Sequence, residues 1–241
     1  MHFVMQPLAT MESNPEKFGP GARPDSSDRP PTSALRPEVR ARLEQAVMAI
    51  FSEADFHRAN LRDVAQRAGV SFTTIYKHYG SKERLLFSVV DVWLGKLTER
   101  ITDHLQGIED LKEKMRKVLW LQLDYYERHQ ELGKILFMTL PMQTWMADGT
   151  FRQKRMINLY LEVLKKGQAE GILNPHVRAG ILLDFMLGIV QRAFVMWVSR
   201  GRQGRLSAQT QVLFDMIWRA IAAPPAAPPN ETPPKIEPNK A

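Results

Sequence analysis

An all-helical fold is predicted by three features of the sequence. Apolar residues recur at i, i+3, i+4 and i+7 through most of the chain, the spacing of one buried helix face. No segment alternates apolar and polar residues as a half-buried strand would. Gly, Pro and small polar residues cut the pattern into about nine pieces of helical length. The 241 residues are 44% hydrophobic, enough for a buried core in one domain or two modest ones. The predicted order is a disordered arm at 1–35, a three-helix unit at 36–81, a larger helical domain at 82–222 and a proline-rich disordered tail at 223–241.

The arm holds Pro7, Pro15, Pro20, Pro24, Pro30 and Pro31 among Ser, Gly and charged residues. Pro37 suits the first turn of a helix running to about Ala54, with Val39, Leu43, Ala46, Val47, Ile50 and Phe51 as its apolar stripe. Asn60 is placed to cap the next helix, with Asp63 beside its positive end. Leu61, Val64, Ala65 and Ala68 form the inward face of that helix. Gly69 ends it, because a residue without Cβ turns left-handed at least cost. Ser71 caps a helix from Phe72 to His78 with Ile75 and Tyr79 inward, and Ser81 caps the one after.

Two short helices joined by a tight turn make a helix-turn-helix, whose second helix lies in the major groove with its N-terminal residues at base edges. The candidate DNA-binding residues are Arg40, Asn60, Ser71, Phe72, Thr73, Thr74, Tyr76, Lys77, His78 and Lys82. Thr73 and Thr74 are assigned to bases; Arg40, Tyr76, Lys77, His78 and Lys82 are assigned to phosphates. Lys82 falls in the first turn of its helix, where backbone dipoles favour an anion. Between Arg36 and Lys82 eight basic residues face five acidic ones, and the whole chain carries a formal +7, so an anionic partner is expected. Arg23, Arg29 and Arg36 are either solvated or within reach of an adjoining minor groove.

At these residues the sequence resembles a known family. VAQRAGVSFTTIYKHYGSKERLL is similar to the DNA-binding signature of the tetracycline-repressor (TetR) family, and VMAIFSEADFHRANLRDVA to its first helix and loop. The resemblance covers residues 40–90. Thr73 stands where family members often have Gly, which bears on the bases read, and Asp55 stands where a Gly often ends the first helix.

From Lys82 a long helix continues through Leu85, Leu86, Val89, Val90, Trp93 and Leu97 to about His104; the resemblance makes it the link to the larger domain. After Gly107, Leu111, Met115, Val118, Leu119, Gln122 and Tyr126 mark a helix ending near His129, and another is expected from Glu131 to Leu140, stopped by Pro141. Met142 to Gly149 reads as a loop with Trp145 and Met146 as an apolar flap. Helices are then expected at Phe151–Glu170, closed by Gly171, at His176 to about Ser199, and at Ser207–Ala222.

The helix before Gly201 is apolar over most of its circumference and must be buried on several sides. Family dimers pair through their last two helices, so a homodimer is implied. The apolar surplus suggests an effector pocket among Met115, Leu119, Gln122, Tyr126, Phe137, Met138, Trp145, Met156, Tyr160, Phe185, Met186, Ile189 and Arg192. Asp124 and Arg192 are the charges to follow there. Arg192 reads as a ligand anchor, an ion-pair member or a surface residue. The stretch LYLEVLKKGQAEGILNPHVRAGILLDFMLGIVQRAFVMWV is similar to the second domain of fatty-acid-responsive family members, which implies an acyl chain, free or on coenzyme A, with drug-like or aromatic compounds as alternatives.

No catalytic residue, metal or cofactor is expected. Cysteine is absent, GxSxG, GxxxxGK[ST] and HExxH do not occur, and His57, His78, His104, His129 and His176 lack metal-ligand spacing. No apolar run reaches the ~18 residues of a membrane span and the N-terminus lacks a signal arrangement, so a cytoplasmic protein is expected. The competing readings are an architectural DNA-coating protein and, with less support, an enzyme.

Overall fold

A computed structural model describes residues 35–53, 56–148 and 153–224. Among them the regular elements are all helical, apart from one isolated bridge between Leu173 and Ala222, with ten α-helices: α1 Pro37–Glu53, α2 Leu61–Ala68, α3 Phe72–Tyr79, α4 Lys82–His104, α5 Leu111–Arg128, α6 Gln130–Lys134, α7 Met142–Ala147, α8 Lys154–Ala169, α9 Ala179–Ser199 and α10 Thr210–Ile221. The arm, the tail beyond residue 224 and Asp55 lie outside the described residues.

The first three helices fold around Leu43, Val47, Phe51, Val64 and Ile75, each almost completely buried. Asn60 Oδ1 accepts from the backbone N–H of Arg62 at 2.9 Å and of Asp63 at 3.0 Å, so one side chain satisfies two free donors. Gly69 takes φ 62°, and its N–H closes on the carbonyls of Ala65 and Gln66. Ser71 and Ser81 cap α3 and α4, accepting from Thr74 N–H at 3.0 Å and Arg84 N–H at 3.2 Å.

The second region packs α5 against α4, α9 and α10. The Tyr125 hydroxyl donates to the Trp93 carbonyl of α4 at 2.8 Å. Gly133 lets α6 meet α9: a Cβ there would run into the Phe194 ring. Asp124, with a side chain 1% exposed, pairs with Arg100 of α4 at 2.7 Å, with Arg128 at 3.0 Å and with Arg205 at 3.7 Å. Glu127 receives Arg205 at 3.2 Å and the Ser207 N–H at 2.8 Å, anchoring the approach to α10.

Four sequence expectations change. The helix expected over Glu131–Leu140 is α6 continued by a π-helical turn at Ile135–Thr139. The flap is the additional helix α7, whose Trp145 is 3% exposed and sits 6.4 Å from the Phe87 ring. A buried anchor stands where an apolar flap was expected, because a large ring gains more from the core than from solvent. α9 begins at Ala179 rather than His176; Asn174 Oδ1 instead holds the His176 N–H in the preceding turn at 2.9 Å. Lastly, α9 is long and apolar enough by length and composition to cross a membrane, with mean hydropathy 1.7, although only 28% of its most apolar window is buried inside the protomer. Asp184 and Arg192 interrupt the apolar run.

Candidate nucleic-acid interface

α3 is held from one side and open on the other. Ile75 is fully buried and Tyr79 half-buried, while Phe72, Thr73, Tyr76 and Lys77 are exposed and Thr74 and His78 half-buried. Phe72 and Tyr76, one turn apart, stack at 6.0 Å with rings 21° from parallel, and the Arg62 guanidinium of α2 stands 6.0 Å from the Phe72 ring. The open face therefore begins with an apolar, cation-flanked edge of the kind that meets thymine methyls and sugar. Thr73 projects beside it. Thr74 is less free, because its hydroxyl lies 2.7 Å from that of the Ser71 cap.

Of the other candidates, Arg40 is exposed on α1, and Asn60 is occupied as a cap and by its amide donation to Asp63 at 2.7 Å. Lys82 departs most from the sequence reading. Its ammonium donates to the carbonyls of Phe56 at 2.8 Å and Ala59 at 3.2 Å, and stands 4.5 Å from the Phe56 ring. It closes the α1–α2 connection onto α4. Sequence reasoning placed it by its position in a first helical turn and had no signal for partners 26 and 23 residues earlier.

The residues assigned to an effector divide into two groups. Met115, Leu119, Gln122, Tyr126 and Trp145 are buried; Phe137, Met156, Tyr160, Met186 and Ile189 are half-buried. Tyr126 lies 4.9 Å from Phe137 and 6.2 Å from Phe194, which itself meets Phe137 at 5.6 Å, an aromatic cluster joining α5, the π turn and α9. Burial pushes the Tyr160 hydroxyl up to about 12 despite a hydrogen bond with Gln122, and pushes the Tyr126 hydroxyl up as well, so both stay neutral. Met138, Phe185 and Arg192 stand outside this group. Met138 is 55% exposed and Phe185 41% exposed, and Arg192 is on the same outward side of α9, because that helix turns a full stripe away from the core. Asp124 is a structural anchor: burial acts to raise its pKa, but hydrogen bonds from Arg100 and Arg128 outweigh this and hold the carboxyl below its ordinary range.

Residues 45–89, from within α1 to within α4, match the family described as bacterial regulatory proteins, tetR family. The match is confined to the helix-turn-helix segment and the start of α4. Among curated relatives of the chain is the fatty acid metabolism regulator protein of Bacillus subtilis, 22% identical over 192 residues, spanning 77% of this chain and 96% of that one. The probable acrEF/envCD operon repressor of Escherichia coli is 27% identical over 198 residues, spanning 78% and 89%. The solved structure of the Bacillus subtilis regulator FadR in complex with stearoyl-CoA shares the fold, with a TM-score of 0.64 at 19% identity over 74% of this chain and 97% of that one. The relatives are regulators rather than enzymes.

Proposed function

We propose that the chain is a cytoplasmic, homodimeric transcriptional repressor that leaves a palindromic operator when a hydrophobic effector binds. The observation that carries this reading is the open face of α3, with Phe72, Thr73, Tyr76 and Lys77 directed away from a core fixed by Ile75. Residues 36–81 act as the reader and 82–222 as the effector-binding and dimerisation domain. Two copies place their α3 helices in successive major grooves about 34 to 36 Å apart. Thr73 meets bases, while Arg40, Tyr76, Lys77 and His78 hold the backbone.

The effector is an acyl chain, free or carried on coenzyme A, with drug-like or aromatic compounds as the alternative. Support comes from the similarity to a fatty acid metabolism regulator and to a fold that holds stearoyl-CoA. The apolar interior around Tyr126 and Phe137 offers the matching surface, with the Gln122 and Tyr160 pair as its polar feature. Binding there displaces α4 and changes the separation of the two readers.

The test is binding of the purified chain to a genomic-fragment library, with and without fatty acids, acyl-coenzyme A esters and aromatic compounds. Discrete palindromic sites lost with one ligand are expected. Sequence-indifferent binding would assign the chain to DNA coating instead.

A further inference from the structure

The outward stripe of α9 is symmetric in its chemistry about one residue. Ile181, Phe185 and Arg192 are exposed, and Asp184, Gly188 and Val195 half-buried, the i, i+3/4, i+7 spacing of a single helix face. Asp184 lies four residues before Gly188 and Arg192 four after; Ile181 and Val195 lie seven before and seven after. Two antiparallel copies of a helix related by a twofold axis bring residue 188−n beside residue 188+n of the other copy. Centred on Gly188, that operation sets Asp184 against Arg192 and Ile181 against Val195, with Phe185 against Gln191. Centred on Asp184 or Arg192 it sets like charges together.

Three further observations favour this centre. A Cβ on Gly188 would meet nothing within 4 Å inside the protomer, so internal packing does not require the glycine; a bare backbone does suit a close helix crossing. Asp184 Oδ1 is buried with no hydrogen-bond partner in the protomer, and burial pushes its carboxyl pKa up. The apolar face continues onto α10 through Val212, 66% exposed, and Met216, 61% exposed.

We propose that the homodimer twofold passes beside Gly188, so that Asp184 of each protomer pairs with Arg192 of its partner. This rests on the homodimer reading above and adds its register: the apolar face supplies adhesion, and the two reciprocal ion pairs admit only a copy aligned about Gly188.

Sedimentation equilibrium on the full chain tests it, with circular dichroism to establish that each variant is helical. Asp184→Arg and Arg192→Asp each set like charges together, and each dimerises at least about tenfold more weakly than the parent. Their equimolar mixture returns to the parent's affinity as a heterodimer, because the two substitutions face each other at one site and the native pair is kept at the other. Single variants as tight as the parent overturn the pairing and leave the dimer standing; so does a mixture that stays dissociated. A monomeric parent overturns the dimer itself, and if that monomer also partitions into phosphatidylcholine vesicles, the α9 face belongs to a lipid surface.

Discussion

Lys82 donates to the carbonyl of Phe56 at 2.8 Å while its ammonium lies 4.5 Å from the ring of the same residue. One side chain thus fastens the loop after α1 to the start of α4. Lys82→Ala removes two charge-assisted hydrogen bonds and a ring contact from a half-buried site, and should cost about 1 to 2 kcal/mol in urea unfolding. Its effect on the slope of log affinity against log salt should stay well below the one unit expected of a phosphate contact. A full unit would return Lys82 to the DNA backbone.

Thr73 and Thr74 should separate in function. Thr73→Ala, at an exposed position, should change the bases selected in a binding-site selection with little change in salt dependence. Thr74→Ala removes a hydroxyl shared with the Ser71 cap and should lower stability by a few tenths of a kcal/mol, leaving the selected sequence alone. Identical site profiles for parent and Thr73→Ala would remove Thr73 from the bases.

Gly133→Ala should destabilise by about 1 to 3 kcal/mol, since the new methyl enters the Phe194 ring in a packed core. Combining it with Phe194→Leu should cost less than the sum of the two single changes, measured as a double-mutant cycle in urea. Strict additivity would show that the two residues do not share the contact.

Asp124 should govern acid stability. Its folded pKa lies below the ordinary 3.8, so its contribution is present above that value and is lost as pH falls through the lower folded one. Asp124→Asn should cost about 3 kcal/mol at pH 7, the low end for breaking a buried pair because the arginines are partly exposed, and should flatten the acid limb of the stability curve. An unchanged acid limb would place the loss elsewhere.

His129 acts earlier in the titration. Burial first, then Lys96, Arg100 and Arg128, hold its pKa below 6.5 against the opposing Glu131. The fold favours the neutral ring, seated 4.4 Å from Tyr125 and 4.9 Å from Trp93. Stability should therefore begin to fall just below pH 6.5, and His129→Gln should remove that early decline in thermal melts across pH.

The local rules were readable in the chain. Asn60, Gly69, Ser71 and Ser81 have chemistry that caps or stops a helix regardless of what lies far away, so the reader's helices follow from them. What escaped depends on distant partners. Trp145 looks like a flap beside Pro141 until Phe87, 58 positions earlier in the sequence, supplies its bed. Arg192 looks costly inside an apolar helix until the helix is seen to turn that stripe outward. The π turn at Ile135–Thr139 left no mark in a periodicity read at 3.6 residues, because one extra residue shifts the apolar positions by less than the width of the buried face.

α4 is fixed at three places: Lys82 to the loop carbonyls, the Trp93 carbonyl to Tyr125, and Arg100 to Asp124. At ~1.5 Å per residue the middle attachment divides this span into arms of about 16 Å and about 10 Å. Asp124 and Tyr125 are consecutive residues of α5, so these two attachments belong to one stretch of helix and move together. α4 is thus clasped by α5 along one part of its length and by the loop after α1 at Lys82, about 16 Å away, so it is the rod that joins the two.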